Sequence, residues 1–178
     1  MDLVYWRHDR QKRKGFVTMD GCIHQAETLV ELLRARGLTC ATAESCTGGG
    51  IGSAITSVPG ASEVYYGGVV SYDNSVKRDV LGVSGSTLDK HGAVSPECAA
   101  EMAVGARRLL KTDLAVSVTG IAGPGGGTPE KPVGLVWFAI ATAKGVRTEK
   151  AVFAGDRARV REQAVVHAIG MLAVEGVS

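Results

Sequence analysis

Segments with the spacing of amphipathic helices alternate along this chain with short, nearly continuous apolar runs. Over 24–36 the apolar residues recur at i, i+3, i+4 and i+7, and Gly37 follows where such a helix would end. The run LAVSV at 114–118 instead has the length and composition of a buried strand. The same criteria predict further helices around 51–58, 74–80, 95–110 and 156–174, and further strands at 38–43, 65–72, 134–143 and 147–153. Such an alternation favours a sheet covered by helices.

The last two predicted strands are separated only by the turn KG at 144–145, which indicates an antiparallel hairpin. The earlier strands are separated by helices, and crossovers of that kind join parallel strands. We therefore predict an α/β fold. It is a three-layer α/β/α sandwich with a mixed, mostly parallel sheet that contains one antiparallel hairpin.

The overall composition limits the class of partner. The 178 residues are 45% hydrophobic and 21% charged, with a formal net charge of +2, which fits one globular domain with a sizeable core. So small a net charge gives no reason to expect nucleic acid or a membrane surface as a partner. The longest apolar run, LVWFAIA at 135–141, is far shorter than the ~20 residues that span a bilayer.

The first residues of the chain are basic and lack the apolar segment of a secretory signal, so we expect a cytoplasmic location. The stretch RHDRQKRK at 7–14 precedes the first periodic segment. We predict that residues 1–19 form a basic N-terminal extension outside the fold and that 20–178 form a single domain. A basic arm for an anionic partner is the alternative interpretation of 1–19.

The cysteines and histidines of the chain show no metal-ligand spacing. Cys22, Cys40, Cys46 and Cys98 contain no C-x-x-C pair, and without a secretory signal we expect free thiols. We therefore expect no metal site. His167 shares the apolar side of the last predicted helix, and we interpret it as a core histidine rather than a catalytic one.

Two glycine-rich loops follow predicted strands. The first is ESCTGGG at 44–50, which leads into a helix, and the second is TGIAGPGGGT at 119–128. Ligands of open α/β sheets bind beyond the carboxyl ends of the strands, and glycine lets successive backbone N–H groups turn toward an anion. Neither loop has the pattern of a P-loop or of a dinucleotide fingerprint. Taken alone, the loops are compatible with a ligand site or with close packing.

Ser45 occupies the strand-to-helix turn in the way that a catalytic nucleophile does. The N–H groups of Cys46, Thr47 or Gly48 would then stabilise an oxyanion. The rival nucleophile is Cys46, since a helix N-terminus lowers the pKa of a thiol. In the simplest structural interpretation, Ser45 only caps a helix.

A serine hydroxyl needs a neighbouring base, and Lys77 lies beside another strand end in SYDNSVK. At the reference pKa of ~10.4 about one lysine in two thousand is neutral at pH 7, so burial or a helix N-terminus must lower the pKa of Lys77. Asn74 is predicted to cap that helix, which would put Lys77 in its first turn. Tyr72 would hold the lysine or relay a proton. The alternative is that Lys77 is a solvated surface charge.

Five segments together resemble the CinA C-terminal domain family, in that family's order and over about residues 25–175. They are ATAESCTGGGIGSAITSVPGAS, YGGVVSYDNSVK, HGAVSPECAAEMA, VSVTGIAGPGGGTPEKPVGLVWFA and GDRARVR. The family is similar in function to the nicotinamide-nucleotide amidohydrolases of bacterial pyridine-nucleotide salvage. The resemblance implies hydrolysis of nicotinamide mononucleotide to nicotinate mononucleotide and ammonia, without a metal or organic cofactor. It also implies a three-layer α/β/α fold with an antiparallel strand.

The resemblance places the family's serine nucleophile on Ser45, its tyrosine on Tyr72 and its lysine on Lys77. Either Arg157 or Arg161, four positions apart on the last helix, suits the 5′-phosphate, and we favour Arg157. The residues expected to contact the substrate are Glu44, Cys46, Thr47, Gly48, Gly49, Thr119, Gly120, Gly123, Gly125, Gly126 and Arg157.

The expected partner is therefore a small-molecule nucleotide, and we also expect a homodimer. Two other functions fit the same residues. One is a non-catalytic module that binds a mononucleotide, and the other is an amidohydrolase acting on a different carboxamide. Ammonia release from a panel of amides distinguishes them.

Overall fold

The structure, a computed structural model, describes residues 19–177, with side chains from Cys22 onward. Its strands are β1 (Cys40–Glu44), β2 (Tyr65–Val70), β3 (Leu114–Gly120), β4 (Leu135–Thr142) and β5 (Gly145–Val152). The α-helices of the described residues are α1 (Met19–Arg36), α2 (Gly50–Thr56), α3 (Asn74–Asp79), α4 (Gly85–His91), α5 (Pro96–Leu110) and α6 (Arg157–Gly176), and a 3-10 helix covers Ala61–Glu63.

The five strands form one mixed sheet in the order β2-β1-β3-β4-β5. Strand β1 pairs in parallel with β2 and β3, whereas β4 is antiparallel to both β3 and β5. The predicted mixed sheet with a C-terminal hairpin is confirmed. Only β4 runs against the common direction, because the loop between β3 and β4 and the hairpin turn after β4 each reverse the chain without a helical crossover.

Helices cover both faces of the sheet. On one face α1, α2 and α6 bury a large apolar core against alternate strand residues such as Val116 and Phe138. On the other face α5 packs on small side chains, among them Ala41 and Ala115, which lets the helix approach the sheet closely. No helix of the described region is both long enough and apolar enough to cross a bilayer.

Several predicted boundaries differ from the structure. Helix α1 begins at Met19 instead of residue 24, and α4 was not expected from the sequence. The cap of α3 is Asp73 rather than Asn74, because the Asp73 carboxylate accepts from the N–H of Ser75 at 2.8 Å. The predicted N-terminal extension, apart from Met19, lies outside the described residues.

Both glycine-rich loops leave the same edge of the sheet. Strands β1 and β3 are parallel neighbours with Glu44 opposite Val118, so their carboxyl ends lie side by side. Beyond them, the N–H of Ser45 still donates to the carbonyl oxygen of Val118 at 2.9 Å. On the other side of β1, the N–H of Ser71 donates to the carbonyl oxygen of Glu44 at 2.8 Å. The parallel register therefore brings the segments after β1, β2 and β3 together.

Two glycines in long helices give opposite predictions for alanine substitution. A Cβ at Gly105 of α5 would overlap the carbonyl oxygen of Leu81 and lie 2.8 Å from its carbonyl carbon, whereas a Cβ at Gly170 of α6 would meet nothing within 4 Å. We expect Gly105→Ala to lower the free energy of unfolding by about 2–3 kcal/mol through overpacking. Gly170→Ala should raise it by about 0.5–1 kcal/mol through helix propensity. Urea denaturation of both variants measures this, and equal effects would contradict the close approach of α5 to Leu81.

Candidate active site

A buried lysine and a buried serine meet where β1 and β2 end. Ser45 follows β1 directly, and Lys77 lies on α3, the helix that follows β2. Lys77 Nζ lies 3.2 Å from Ser45 Oγ, although 32 residues separate them in the chain. Their side chains are shielded from solvent, since Lys77 is 1% and Ser45 8% exposed. The pair that sequence reasoning selected is thus in hydrogen-bonding distance.

Lys77 is held by main-chain oxygens rather than by a carboxylate. Its Nζ donates to the carbonyl oxygen of Ser71 at 2.6 Å and to that of Tyr72 at 3.2 Å. Within residues 19–177 no carboxylate forms an ion pair with it. Burial lowers the pKa of Lys77 below its ordinary value, and the Asp73 carboxylate partly opposes this. Lys77 is the fourth residue of the six-residue α3, and burial is the first cause of its lowered pKa.

The Glu44 carboxylate shapes the turn after β1 from inside the protein. Its side chain is 1% exposed and accepts from the backbone N–H groups of Gly49, Ile51 and Gly52 at 3.0, 3.0 and 2.8 Å. These are N–H groups at the start of α2, where a negative charge is favoured. The sequence predicts that Glu44 contacts substrate, but both of its carboxylate oxygens accept from the protein's own backbone.

Arg161 holds the same turn from α6. Its Nε donates to the carbonyl oxygen of Cys46 at 3.1 Å, and its Nη2 donates to that of Thr47 at 2.9 Å. The guanidinium of Arg161, the less favoured of the two predicted phosphate ligands, is therefore bound to main-chain carbonyls.

Few backbone donors of the turn remain available. The N–H of Gly48, one of the three expected oxyanion donors, is bonded to the carbonyl oxygen of Ser45 at 3.1 Å. In the part of the chain that the structure describes, the N–H groups of Cys46 and Thr47 donate to no acceptor on another residue. The Thr47 hydroxyl is also buried without a hydrogen-bond partner there. The unsatisfied donors thus concentrate at Cys46 and Thr47.

The Cys46 thiol is a poor nucleophile in this structure. The residue is 6% exposed, and burial raises the pKa of its thiol to about 11, even though Arg161 and Arg157 act in the opposite direction. A thiol with so high a pKa is almost entirely protonated at neutral pH. Between the two candidate nucleophiles, the environment favours Ser45.

The second glycine-rich loop is joined to the site by Arg157. The guanidinium of this exposed residue donates through Nη1 to the carbonyl oxygen of Gly123 at 3.0 Å and through Nη2 to the Tyr72 hydroxyl at 3.2 Å. The Tyr72 side chain is 62% exposed, so its carbonyl, and not its phenol, contacts the lysine. The Thr119 hydroxyl is bonded to the carbonyl oxygen of Ala93 at 2.8 Å.

The loop itself offers further backbone donors. Gly120 ends β3, and Gly123 and Gly126 have φ of 81° and 86°, in the region that favours glycine. Among the described residues, the N–H groups of Gly123, Gly125 and Gly126 donate to no protein acceptor. Together with Arg157, they form a polar surface suited to an anion.

Other polar groups considered from the sequence lie elsewhere. His167 packs 4.4 Å from the Phe138 ring, centroid to centroid, with its Nε2 3.0 Å from Glu149 Oε1. No group of three or more His, Cys, Asp or Glu side chains suited to a metal occurs among the residues described. The contacts that sequence reasoning missed are the main-chain ones: the Ser71 and Tyr72 carbonyls and the two carbonyls bound by Arg161. Carbonyls have no sequence signature, so only the fold reveals them.

The contacts of Glu44 predict a large stability effect for a small change. Glu44→Gln keeps the shape of the side chain but turns an NH₂ group toward backbone N–H groups. We expect the free energy of unfolding to fall by about 2–3 kcal/mol, measured by urea denaturation. Glu63→Gln, which removes an exposed ion pair with Arg34, is the control and should cost at most about 1 kcal/mol. Similar losses in both variants would contradict the anchoring role of Glu44.

Known proteins resemble this chain over most of its length. The chain is 50% identical over 143 residues to a CinA-like protein of Thermotoga maritima, covering 80% of this chain and 35% of that protein. It spans the same 35% of several other curated relatives. It is also 49% identical over 148 residues to the nicotinamide-nucleotide amidohydrolase PncC of Escherichia coli K12, covering 83% of this chain and 90% of that protein.

The fold is shared with solved structures as well. The competence/damage inducible protein CihA from Agrobacterium tumefaciens superposes with a TM-score of 0.85 at 42% sequence identity, covering 88% of this chain and 96% of that one. The family model of the CinA C-terminal domain matches residues 23–175. Since that match runs from α1 to α6 and includes both glycine-rich loops, the chain belongs to the CinA C-terminal domain family.

Proposed function

We propose that this protein hydrolyses the carboxamide of nicotinamide mononucleotide to nicotinate mononucleotide and ammonia, with Ser45 as nucleophile and Lys77 as base. The observation that carries the proposal is the 3.2 Å separation of Lys77 Nζ and Ser45 Oγ in a buried setting. The name of the Escherichia coli relative, a nicotinamide-nucleotide amidohydrolase, supports the choice of substrate. Pyridine-nucleotide salvage in the cytoplasm is the setting in which we place the reaction.

The first step is removal of the Ser45 proton. A neutral lysine amine has two N–H groups and one lone pair. In our mechanism the two N–H groups stay on the carbonyls of Ser71 and Tyr72, 2.6 and 3.2 Å away. The lone pair then faces Ser45 Oγ and accepts its proton as the oxygen attacks the carboxamide carbon.

The tetrahedral intermediate is stabilised by the turn. Its oxyanion accepts from the N–H groups of Cys46 and Thr47, which donate to no other residue in the described chain. The Lys77 ammonium gives its proton to the departing nitrogen, ammonia leaves, and an ester forms on Ser45. The now neutral lysine takes a proton from a water molecule, which attacks the ester carbon, and the lysine ammonium then gives that proton to Ser45 Oγ as it leaves. Each proton taken by the lysine is thus given back within the cycle.

Arg157 and the second glycine-rich loop hold the 5′-phosphate in this proposal. The guanidinium is exposed and now donates to two uncharged oxygens, those of Gly123 and Tyr72. Charge-assisted bonds to phosphate are roughly twice as strong as neutral ones, so phosphate would take over one or both donors. The Tyr72 phenol, released from Arg157, would be free to contact the nucleotide. A homodimer remains a prediction.

Ammonia release from a panel of amides tests the proposed function. We expect turnover of nicotinamide mononucleotide and none of nicotinamide or free amino-acid amides. Ser45→Ala should reduce kcat to background with an unchanged Tm, because the attacking oxygen is lost. Cys46→Ala, the neighbouring matched control, should keep most of the activity because its thiol is protonated at neutral pH.

The same panel separates the alternatives. Binding of nicotinamide mononucleotide without turnover would identify a binding module. Turnover of an unphosphorylated amide would identify a different amidohydrolase. An active Ser45→Ala variant together with an inactive Cys46→Ala variant would move the chemistry to the thiol.

The pH dependence of kcat/KM tests the lysine base. Only neutral Lys77 accepts the serine proton, so below its pKa the rate should rise about tenfold per pH unit and then level off. Because burial lowers that pKa, the profile should level off at a lower pH than the ~10.4 of an ordinary lysine. Lys77→Met should be inactive across the range. A wild-type profile that is flat from about pH 6 to 9 would argue against a titrating lysine base.

A further inference from the structure

Arg161 makes contacts that the proposed reaction does not use. It lies near the start of α6, is half-buried, and reaches the turn after Ser45. Its two acceptors there are the neutral carbonyl oxygens of Cys46 and Thr47, at 3.1 and 2.9 Å. Among the residues of 19–177 no carboxylate forms an ion pair with this guanidinium. An ordinary ion pair therefore does not explain its position.

The two bonds fix the direction of two peptide units. In a trans peptide the C=O of one residue and the N–H of the next point in opposite directions. By holding the Cys46 carbonyl, Arg161 turns the Thr47 N–H to the other side of the turn. By holding the Thr47 carbonyl, it does the same to the Gly48 N–H.

That other side is the side of Ser45. The Gly48 N–H donates to the main-chain carbonyl oxygen of Ser45 at 3.1 Å, so N–H groups turned away from Arg161 point toward the Ser45 backbone. The Thr47 N–H is turned the same way but has no protein acceptor within the described residues. It is left as an oriented, unpaired donor two residues after the candidate nucleophile.

We propose that Arg161 is a positioning residue of the hydrolysis: it orients the peptide between Cys46 and Thr47 so that the Thr47 N–H meets the oxyanion. This inference rests on the proposed function and adds a residue that touches neither the substrate nor the reacting atoms. A guanidinium suits the task because its rigid fork holds two acceptors at once, which a lysine ammonium does not reproduce. Its charge also polarises both amides, which strengthens their N–H groups as donors.

Two arginines one helical turn apart on α6 have different roles in this proposal. Arg157 is exposed and points its guanidinium at Gly123 and Tyr72, where a phosphate would be met. Arg161 is committed to the turn. Loss of Arg157 should therefore weaken substrate binding, and loss of Arg161 should slow the chemical step.

The experiment compares kcat and KM for Arg161→Met, Arg161→Lys and Arg157→Met. Loss of one oxyanion donor costs about 100–1,000-fold in kcat, so we expect Arg161→Met to lower kcat by about 100-fold with less than about a threefold change in KM. The kcat of Arg161→Lys should fall almost as far, because lysine keeps the charge but lacks the planar guanidinium that binds two acceptors at once. Arg157→Met should mainly raise KM. The control is Arg147→Met, which removes the same charge from β5, beside Glu149 and Glu175, and should match the wild type.

Two outcomes would overturn the proposal. One is a wild-type kcat in Arg161→Lys, which would show that charge alone suffices. The other is an Arg161→Met variant whose loss lies in KM, which would make Arg161 a substrate ligand. The Tm of each variant identifies any that fails to fold. If Arg161→Met fails to fold, Arg161→Lys, whose side chain has a similar volume, still tests the proposal.

The proposed function itself has a separate readout in the same experiment. If the wild-type protein releases no ammonia from nicotinamide mononucleotide, that function fails, but the orienting contact is still testable. Amide ¹H–¹⁵N resonances of Thr47 and Gly48 should then shift in Arg161→Met and stay in place in Arg147→Met. Unchanged resonances in Arg161→Met would overturn the positioning role independently of activity.

Discussion

The burial of the Lys77 amine is the constraint on which the site depends. Removing an ammonium from water costs several kcal/mol, and in the described chain no carboxylate compensates that cost. The carbonyls of Ser71 and Tyr72 and the Ser45 hydroxyl are its three partners. An ammonium donates to all three, and a neutral amine donates to two and accepts from the hydroxyl. The amine can therefore gain or lose a proton toward Ser45 without breaking a contact.

The turn after β1 is held between two opposite charges. The Glu44 carboxylate binds N–H groups at the start of α2, and the Arg161 guanidinium binds carbonyls of the two residues after Ser45. Neither charge uses the N–H groups of Cys46 and Thr47. The turn is thus bound to the protein on two sides, and in the proposed mechanism its remaining donors bind the oxyanion.

Much of the fold was predictable because it follows from local patterns. Short apolar runs located every strand, and the predicted turn KG identified the hairpin, although the two residues between β4 and β5 are Ala143 and Lys144. The meeting of Ser45 with Lys77 was also predictable, since both follow strands whose carboxyl ends share one edge of the sheet. What the sequence could not supply is the partner of each charge. Arg157 and Arg161 share one helix face, yet one binds the second loop and the other the first turn, because the distance from α6 to each loop is set by tertiary packing. The Glu44 carboxylate likewise points into the protein because its acceptor oxygens meet the N–H groups at the start of α2, and tertiary packing sets where that helix begins.

The unsatisfied groups of the turn distinguish a site from a tightly packed corner. A buried donor without a partner costs about 1–3 kcal/mol, and native proteins contain few such groups. Thr47 carries both an N–H and a fully buried hydroxyl without a protein partner among the described residues. Simple packing would favour an apolar side chain there, such as valine. A turn that is fixed from two sides and still contains unpaired N–H groups directly after Ser45 fits the oxyanion site that we propose better than it fits simple packing.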